Sequence, residues 1–159
     1  MKARIDLMHV TPGIIHAMLG LERQVQKAGL DSKLLDLVRM RASQINGCAY
    51  CLDMHSKDAR ANGETEQRLY GLDAWRETPY YSARERAALE WTEALTLVSE
   101  KHVPDEVYER VREQFSEEEL VHVSLAIVSI NGWNRLNIAA RTVPGDYVPG
   151  SLATVHAAS

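Results

Sequence analysis

Residues 31–63, "DSKLLDLVRMRASQINGCAYCLDMHSKDARANG", decide the fold. Leu34, Leu35, Leu37, Val38 and Ile45 supply much of one apolar helical face, and Asp31 or Ser32 is placed to cap its start. Asn46-Gly47 then interrupts the pattern. The reading expects Asn46 to cap a further helix, whose opening turn contains Cys48 and which stops near Asn62-Gly63.

Outward from this pair the signals stay helical. Thr11 followed by Pro12 gives an N-cap and a first-turn proline, and Gly29 lies just past the last turn of that segment. Ser82 to Glu85 and Ser116 to Glu119 have serine and glutamate spaced as capping boxes. The first is expected to open a helix to about Glu100, the second a longer one to about Arg141. Between them Pro104 suits the first turn of a short helix carrying Val107, Val111 and Phe115. No alternation of strand length occurs, so the fold class is all-α, in a single domain spanning 1–159. The tail, residues 144–159, holds turn residues and small side chains; it is expected to be irregular, either frayed or laid along a neighbouring subunit.

The chain's 159 residues can bury a core without staples, and 45% apolar with 25% charged residues is a soluble, globular profile. A net charge of -4 with no basic run, and a single phenylalanine, argue against nucleic acid as a partner. The most apolar stretch, residues 120–130, falls short of the roughly 20 residues that a bilayer span requires. With no signal-peptide pattern at the start, the expectation is a cytoplasmic protein with no membrane partner. Trp75 and Trp91 read as core or interface anchors, and His122 as a core histidine. Trp133 reads as a packing residue, with a wall of the thiol pocket as the alternative. The near-continuous apolar run of the last helix implies burial against a partner subunit as well as the core.

The chemistry is concentrated in Cys48, Cys51 and His55. At this spacing the three share one helical face. A helix N-terminus favours a thiolate, the reactive form of cysteine, and His55 is placed to take a proton from Cys51. A structural disulfide across so short a loop removes little entropy from the unfolded chain. Zinc needs a fourth ligand, and His9, His16, His102, His122 and His156 are scattered. Covalent haem attachment requires histidine directly after the second cysteine, where this chain has Leu52. Two buried inert cysteines remain the plain alternative to a redox pair. There is no GxGxxG pattern, so no flavin or nicotinamide cofactor is expected, and electrons must come from a thiol or protein reductant.

The stretch "MRASQINGCAYCLDMHSKDARANGETEQRLYGLDAWRETPYYSARERAALEWTEALT", followed by "HVPDEVYERVREQFSEEELVHVSLAIVSINGWNRLNIAAR", resembles alkylhydroperoxidase D-like proteins of the carboxymuconolactone decarboxylase superfamily. The resemblance covers most of residues 30–141, the expected core. It implies an all-helical subunit that assembles into a ring, a trimer or a hexamer. It also implies reduction of hydroperoxides by the dithiol, with Cys51 peroxidatic, Cys48 resolving and a Cys48–Cys51 disulfide as the oxidised product. His55 would belong to a proton relay, completed by Asp36, twelve residues before Cys48, where the family has a glutamate. Asp36 is one methylene shorter, and its plain alternative is an exposed aspartate paired with Lys33 or Arg39. Tyr50 stands where some members have histidine, and with a pKa near 10 it is a poor base. The decarboxylase branch has no such cysteine pair, which argues against decarboxylation. The alternatives to a peroxidase are disulfide exchange with a protein client and a non-enzymatic redox sensor.

Overall fold

The computed structural model describes residues 1–151, and these form nine α-helices with no strand. They are α1 (Leu7–Val10), α2 (Pro12–Lys27), α3 (Ser32–Asn46), α4 (Ala49–Ala61), α5 (Glu66–Tyr70), α6 (Ala83–Thr96), α7 (Val98–Lys101), α8 (Asp105–Arg112) and α9 (Glu117–Ala140). A 3-10 stretch, Gly71–Glu77, follows α5. The all-α expectation holds for these residues.

α3 sits at the centre, packed on α4, α6 and α9. Its run Leu34 to Val38 is buried at every position, because helices cover it on more than one side. Leu34 and Val38 face Ala88, Trp91, Phe115 and Val123 from α6, the turn after α8, and α9. Leu37 and Met40 face Leu69, Leu72, Trp75 and Tyr81 on the other side. Trp75 and Trp91 are buried anchors, as read from the sequence.

Both capping boxes form as spaced: Ser82 and Glu85 at the start of α6, Ser116 and Glu119 at the start of α9. The helix after Ser82 breaks earlier than expected, at Leu97, and restarts as the short α7. α1 and the segment 66–77 were not anticipated; each is too short to show a period of 3.6 in sequence. His122 is half-buried beside exposed Val121 rather than in the core, since it lies on the outer side of α9.

The break between α3 and α4 differs from the sequence reading in a way that matters. Gly47, not Asn46, is the hinge: it takes a left-handed conformation (φ 66°), open to glycine at no steric cost. Its N–H donates to the Gln44 carbonyl (3.1 Å) and the Cys48 N–H to the Ser43 carbonyl (3.1 Å), which closes α3. Asn46 is therefore the last residue of α3, and Cys48 itself is the N-cap of α4.

The described part of the tail, 144–151, carries no helix or strand, and it is bonded to α4 of its own subunit. Lys57 Nζ, anchored on Asp53 (2.9 Å), donates to the carbonyls of Gly145 (2.8 Å) and Tyr147 (3.1 Å). Gly145 N–H donates to Asp53, and the Tyr147 hydroxyl donates to Asp58 Oδ1 at 2.8 Å. Residues 152–159, including His156, lie outside the described residues. Among the described residues no helix is long and apolar enough to cross a membrane.

Candidate active site

α4 places its chemistry by register. Cys48 at the N-cap, Cys51 one turn on and His55 a turn later rise along the face that meets α3 and α9, and all three are buried. The sulfurs lie among Ala42 and Ile130, with Tyr50 and Trp133 packed against them. Cys48 Sγ and Cys51 Sγ are 2.6 Å apart, and both residues are free cysteines. An S–S bond measures about 2.05 Å, so little movement separates this pair from a disulfide.

The two thiols share their acidity. A hydrogen bond from Cys51 lowers the Cys48 thiol to about 7, against an opposing push from burial, and the N-terminal amides of Cys51 and Tyr50 add to the lowering. No regular capping bond to Cys48 Sγ forms. The same sulfur–sulfur hydrogen bond, followed by burial, drives Cys51 far up. The pair thus gives up one proton near neutrality and holds the second firmly. Of the two, Cys48 is the more acidic thiol.

His55 does not behave as the acid–base group a free histidine would be. Burial, followed by the charge of Arg39, holds its pKa down at about 3, so the imidazole is neutral at physiological pH. Asp58 Oδ2, on the next turn of α4, is 4.0 Å from His55 Nδ1. Burial raises the Asp58 carboxyl, and the Tyr147 hydroxyl bond counters it. Asp36 lies elsewhere: it is buried, raised by burial, and accepts from Asn62 Nδ2 at 2.8 Å, with Arg39 3.9 Å away. Among the described residues no hydrogen bond joins Asp36 to His55, or His55 to Cys51.

A cavity of about 490 Å³ opens on Cys51 but not on Cys48. Ile15 and Leu19 of α2, Met54 of α4 and Trp133 of α9 make its apolar walls; Tyr50, His55, Asp58 and Asn137 bring polar groups to it. The N-terminal segment around Ile5 to Met8 and the strap from Thr142 to Gly150 close over it. The N-terminal segment is tied to the end of α9, where the Arg4 and Ile5 N–H groups both donate to the Ala140 carbonyl (2.8 and 3.3 Å). Trp133 is therefore a pocket wall as well as a packing residue, and Tyr50, pushed up by burial, is an even weaker acid than usual.

Sequence reasoning missed the charged floor of this cavity. Arg39 donates to Glu22 Oε2 at 2.9 Å, and Ser129 Oγ donates to Glu22 Oε1 at 2.6 Å. Each of the two charged side chains is 15% exposed, enough burial for the pairing to matter. Glu22 and Arg39 are 17 residues apart on different helices, and no local spacing betrays such a pair. Asp58 was within reach of a sequence argument, because His55 and Asp58 stand at i, i+3 on one helix. Among the described residues, no group of three His, Cys, Asp or Glu is arranged to hold a metal ion.

Comparison with known proteins agrees with this architecture. The sequence pattern of the carboxymuconolactone decarboxylase family matches residues 12–94. The uncharacterized protein YdfG of Bacillus subtilis (strain 168) is 45% identical over 139 residues, covering 87% of this chain and 95% of its own. The crystal structure of ATU0492 from Agrobacterium tumefaciens, a protein of unknown function with a suggested role in antioxidant defence (AhpD), superposes with a TM-score of 0.89. It is 40% identical, and the match covers 92% of this chain and 100% of that one. The debrominase Bmp8 shares the fold at a TM-score of 0.78, with 23% identity and coverage of 87% and 75% of the two chains.

Proposed function

The chain belongs to the carboxymuconolactone decarboxylase family, and from that premise we propose that it is a dithiol peroxidase that reduces organic hydroperoxides at Cys51. The observation that carries this reading is the sulfur pair: two free thiols 2.6 Å apart, of which only Cys51 meets the cavity. A cavity of about 490 Å³ with aliphatic and indole walls suits an organic hydroperoxide better than hydrogen peroxide, which would leave most of it unfilled.

Turnover begins when the Cys51 proton passes to Cys48 across the short sulfur contact. The Cys51 thiolate then attacks the distal peroxide oxygen, the O–O bond breaks, and the alkoxide leaves as alcohol after taking up a proton. That proton comes from solvent and is relayed by neutral His55, on the same face of α4 and lining the cavity, which gives its N–H to the leaving oxygen as its other ring nitrogen accepts a proton from water. Cys48 attacks the Cys51 sulfenic acid, expelling water and closing the disulfide. In sum, two thiols and ROOH give a disulfide, ROH and water. An external thiol or dithiol restores the pair by exchange. Asp36 enters only through Arg39, whose guanidinium it helps hold behind His55. Exchange with a large protein disulfide is disfavoured as the main reaction, because each cysteine is only 1% exposed.

Assembly with itself fits the exterior of α9, which leaves Val121, Val128 and Ile138 exposed on an otherwise apolar helix. Light scattering behind size-exclusion chromatography gives the number of subunits.

The test of function is consumption of cumene hydroperoxide by the reduced protein, with dithiothreitol as electron source. The wild type turns over, Cys51→Ser does not, and Cys48→Ser stops after one equivalent. Full activity in Cys51→Ser would overturn the role given to that residue. A halogenated aromatic run in parallel distinguishes peroxide reduction from the kind of reaction named for Bmp8.

A further inference from the structure

Facing the sulfur pair from α9 are two amides three residues apart, Asn134 and Asn137, both buried. Asn137 Nδ2 stands 3.8 Å from Cys51 Sγ and donates to the Trp133 carbonyl at 2.9 Å. Only an NH2 group can donate to a carbonyl, so the second bond fixes the orientation of the amide and turns its other N–H toward the sulfur. Asn134 is fixed in the same way. Its Oδ1 accepts from Asn46 Nδ2 at 2.9 Å, and its Nδ2 donates to Ser43 Oγ at 3.1 Å.

No charged donor competes for this position among the described residues. Arg39 is taken by Glu22, and His55 is neutral. A thiolate on Cys51 is therefore met by neutral amide donors in a buried setting, where a single hydrogen bond to an anion has a large effect on its acidity.

We propose that Asn137 is the hydrogen-bond donor that weights the pair toward a thiolate on Cys51. Asn134, one turn before it on α9, hydrogen-bonds both sulfurs and so does not choose between them. The proton shared by the two sulfurs can sit on either. Asn137 reaches only Cys51, and so weights the pair toward charge on the sulfur that faces the cavity. Without it the charge stays on Cys48, which the cavity does not reach. The Asn46 amide that sequence reading assigned to a helix cap instead orients Asn134, which ties the Asn-Gly break to the chemistry.

The inference rests on the redox reading only for the use made of the thiolate, and the thiolate is measurable with no peroxide present. In a Cys48→Ser background a single thiol remains, and serine is a good N-cap for α4. The rate of Cys51 alkylation by iodoacetamide is followed against pH. Asn137→Leu should raise the midpoint by about one pH unit, roughly tenfold slower alkylation below both midpoints, with the high-pH plateau unchanged. Asn137→Asp keeps the shape but replaces the donor with an anionic acceptor, and should raise the midpoint further. It also carries the test if the leucine variant fails to fold by circular dichroism. An unmoved midpoint in the folded variants, or a lower midpoint for Asn137→Asp than for the parent, would overturn the proposal. A shifted midpoint in a protein that ignores hydroperoxide would uphold the role of Asn137 and sink the peroxidase reading alone.

Discussion

Acidification should destabilise this protein in part through His55, by an amount that its burial fixes. The folded state holds His55 at about 3, against 6.5 for a free histidine. Between those values the unfolded chain binds a proton that the folded chain refuses, so stability is complete above pH 6.5 and declines as the pH falls toward 3. One proton's difference changes unfolding free energy by 1.36 kcal/mol per pH unit. Going from pH 7.5 to pH 4.5 therefore costs about 2.5 kcal/mol from His55 alone, and a folded value of 4 in place of 3 barely alters this. The assay is urea unfolding at both pH values, followed by tryptophan fluorescence at fixed protein concentration, for wild type and His55→Gln. Arg39, Asp58 and Tyr147, which surround the imidazole, are common to both proteins and drop out of the comparison. Wild type should lose about 2.5 kcal/mol more than the variant over this range. Equal losses would mean that His55 is protonated inside the fold, and its place as a neutral proton donor in the mechanism would go with it.

Arg39→Leu should cost about 3–5 kcal/mol in the same urea assay, because it strands Glu22 in the cavity floor without its cation. Glu22→Gln combined with it should recover part of that loss. Tyr147→Phe removes the bond to Asp58 that ties the strap down; at about 1 kcal/mol this is roughly a fivefold rise in open strap, read as faster modification of Cys51 by a bulky maleimide. Gly47→Ala places a methyl group at φ 66°, and should destabilise by about 1 kcal/mol in thermal melts without changing the residues around the sulfurs.

The helices were legible in the sequence where their ends carry chemistry. Two serine–glutamate boxes marked the starts of α6 and α9 to the residue, and Thr11-Pro12 marked the start of α2. The Asn46-Gly47 break was seen, but its internal geometry was not. A left-handed glycine and an asparagine cap both predict a boundary there, and only the backbone bond from Cys48 N–H to Ser43 decides for the glycine. The two-residue shift of the cap matters, since it makes Cys48 the cap itself. In the candidate site, Cys48, Cys51 and His55 came from helical spacing and are brought to one face. What spacing cannot show is a contact made across the fold: Glu22 with Arg39, Asn137 with Cys51, and Tyr147 with Asp58 span 17, 86 and 89 residues. Nor does sequence reveal the sense of a pKa shift. His55 reads as a base from its type, and only its burial beside Arg39 makes it neutral.

The central claim is that the cysteine pair is a working dithiol whose reactive member is Cys51. Its most direct test is a thiol count on reduced protein before and after one equivalent of cumene hydroperoxide, with Cys51→Ser alongside. The account predicts that both thiols of the wild type disappear and water and alcohol form, while the single thiol of the variant persists. Thiols that survive the peroxide in the wild type, or a variant that consumes it as fast, would contradict it.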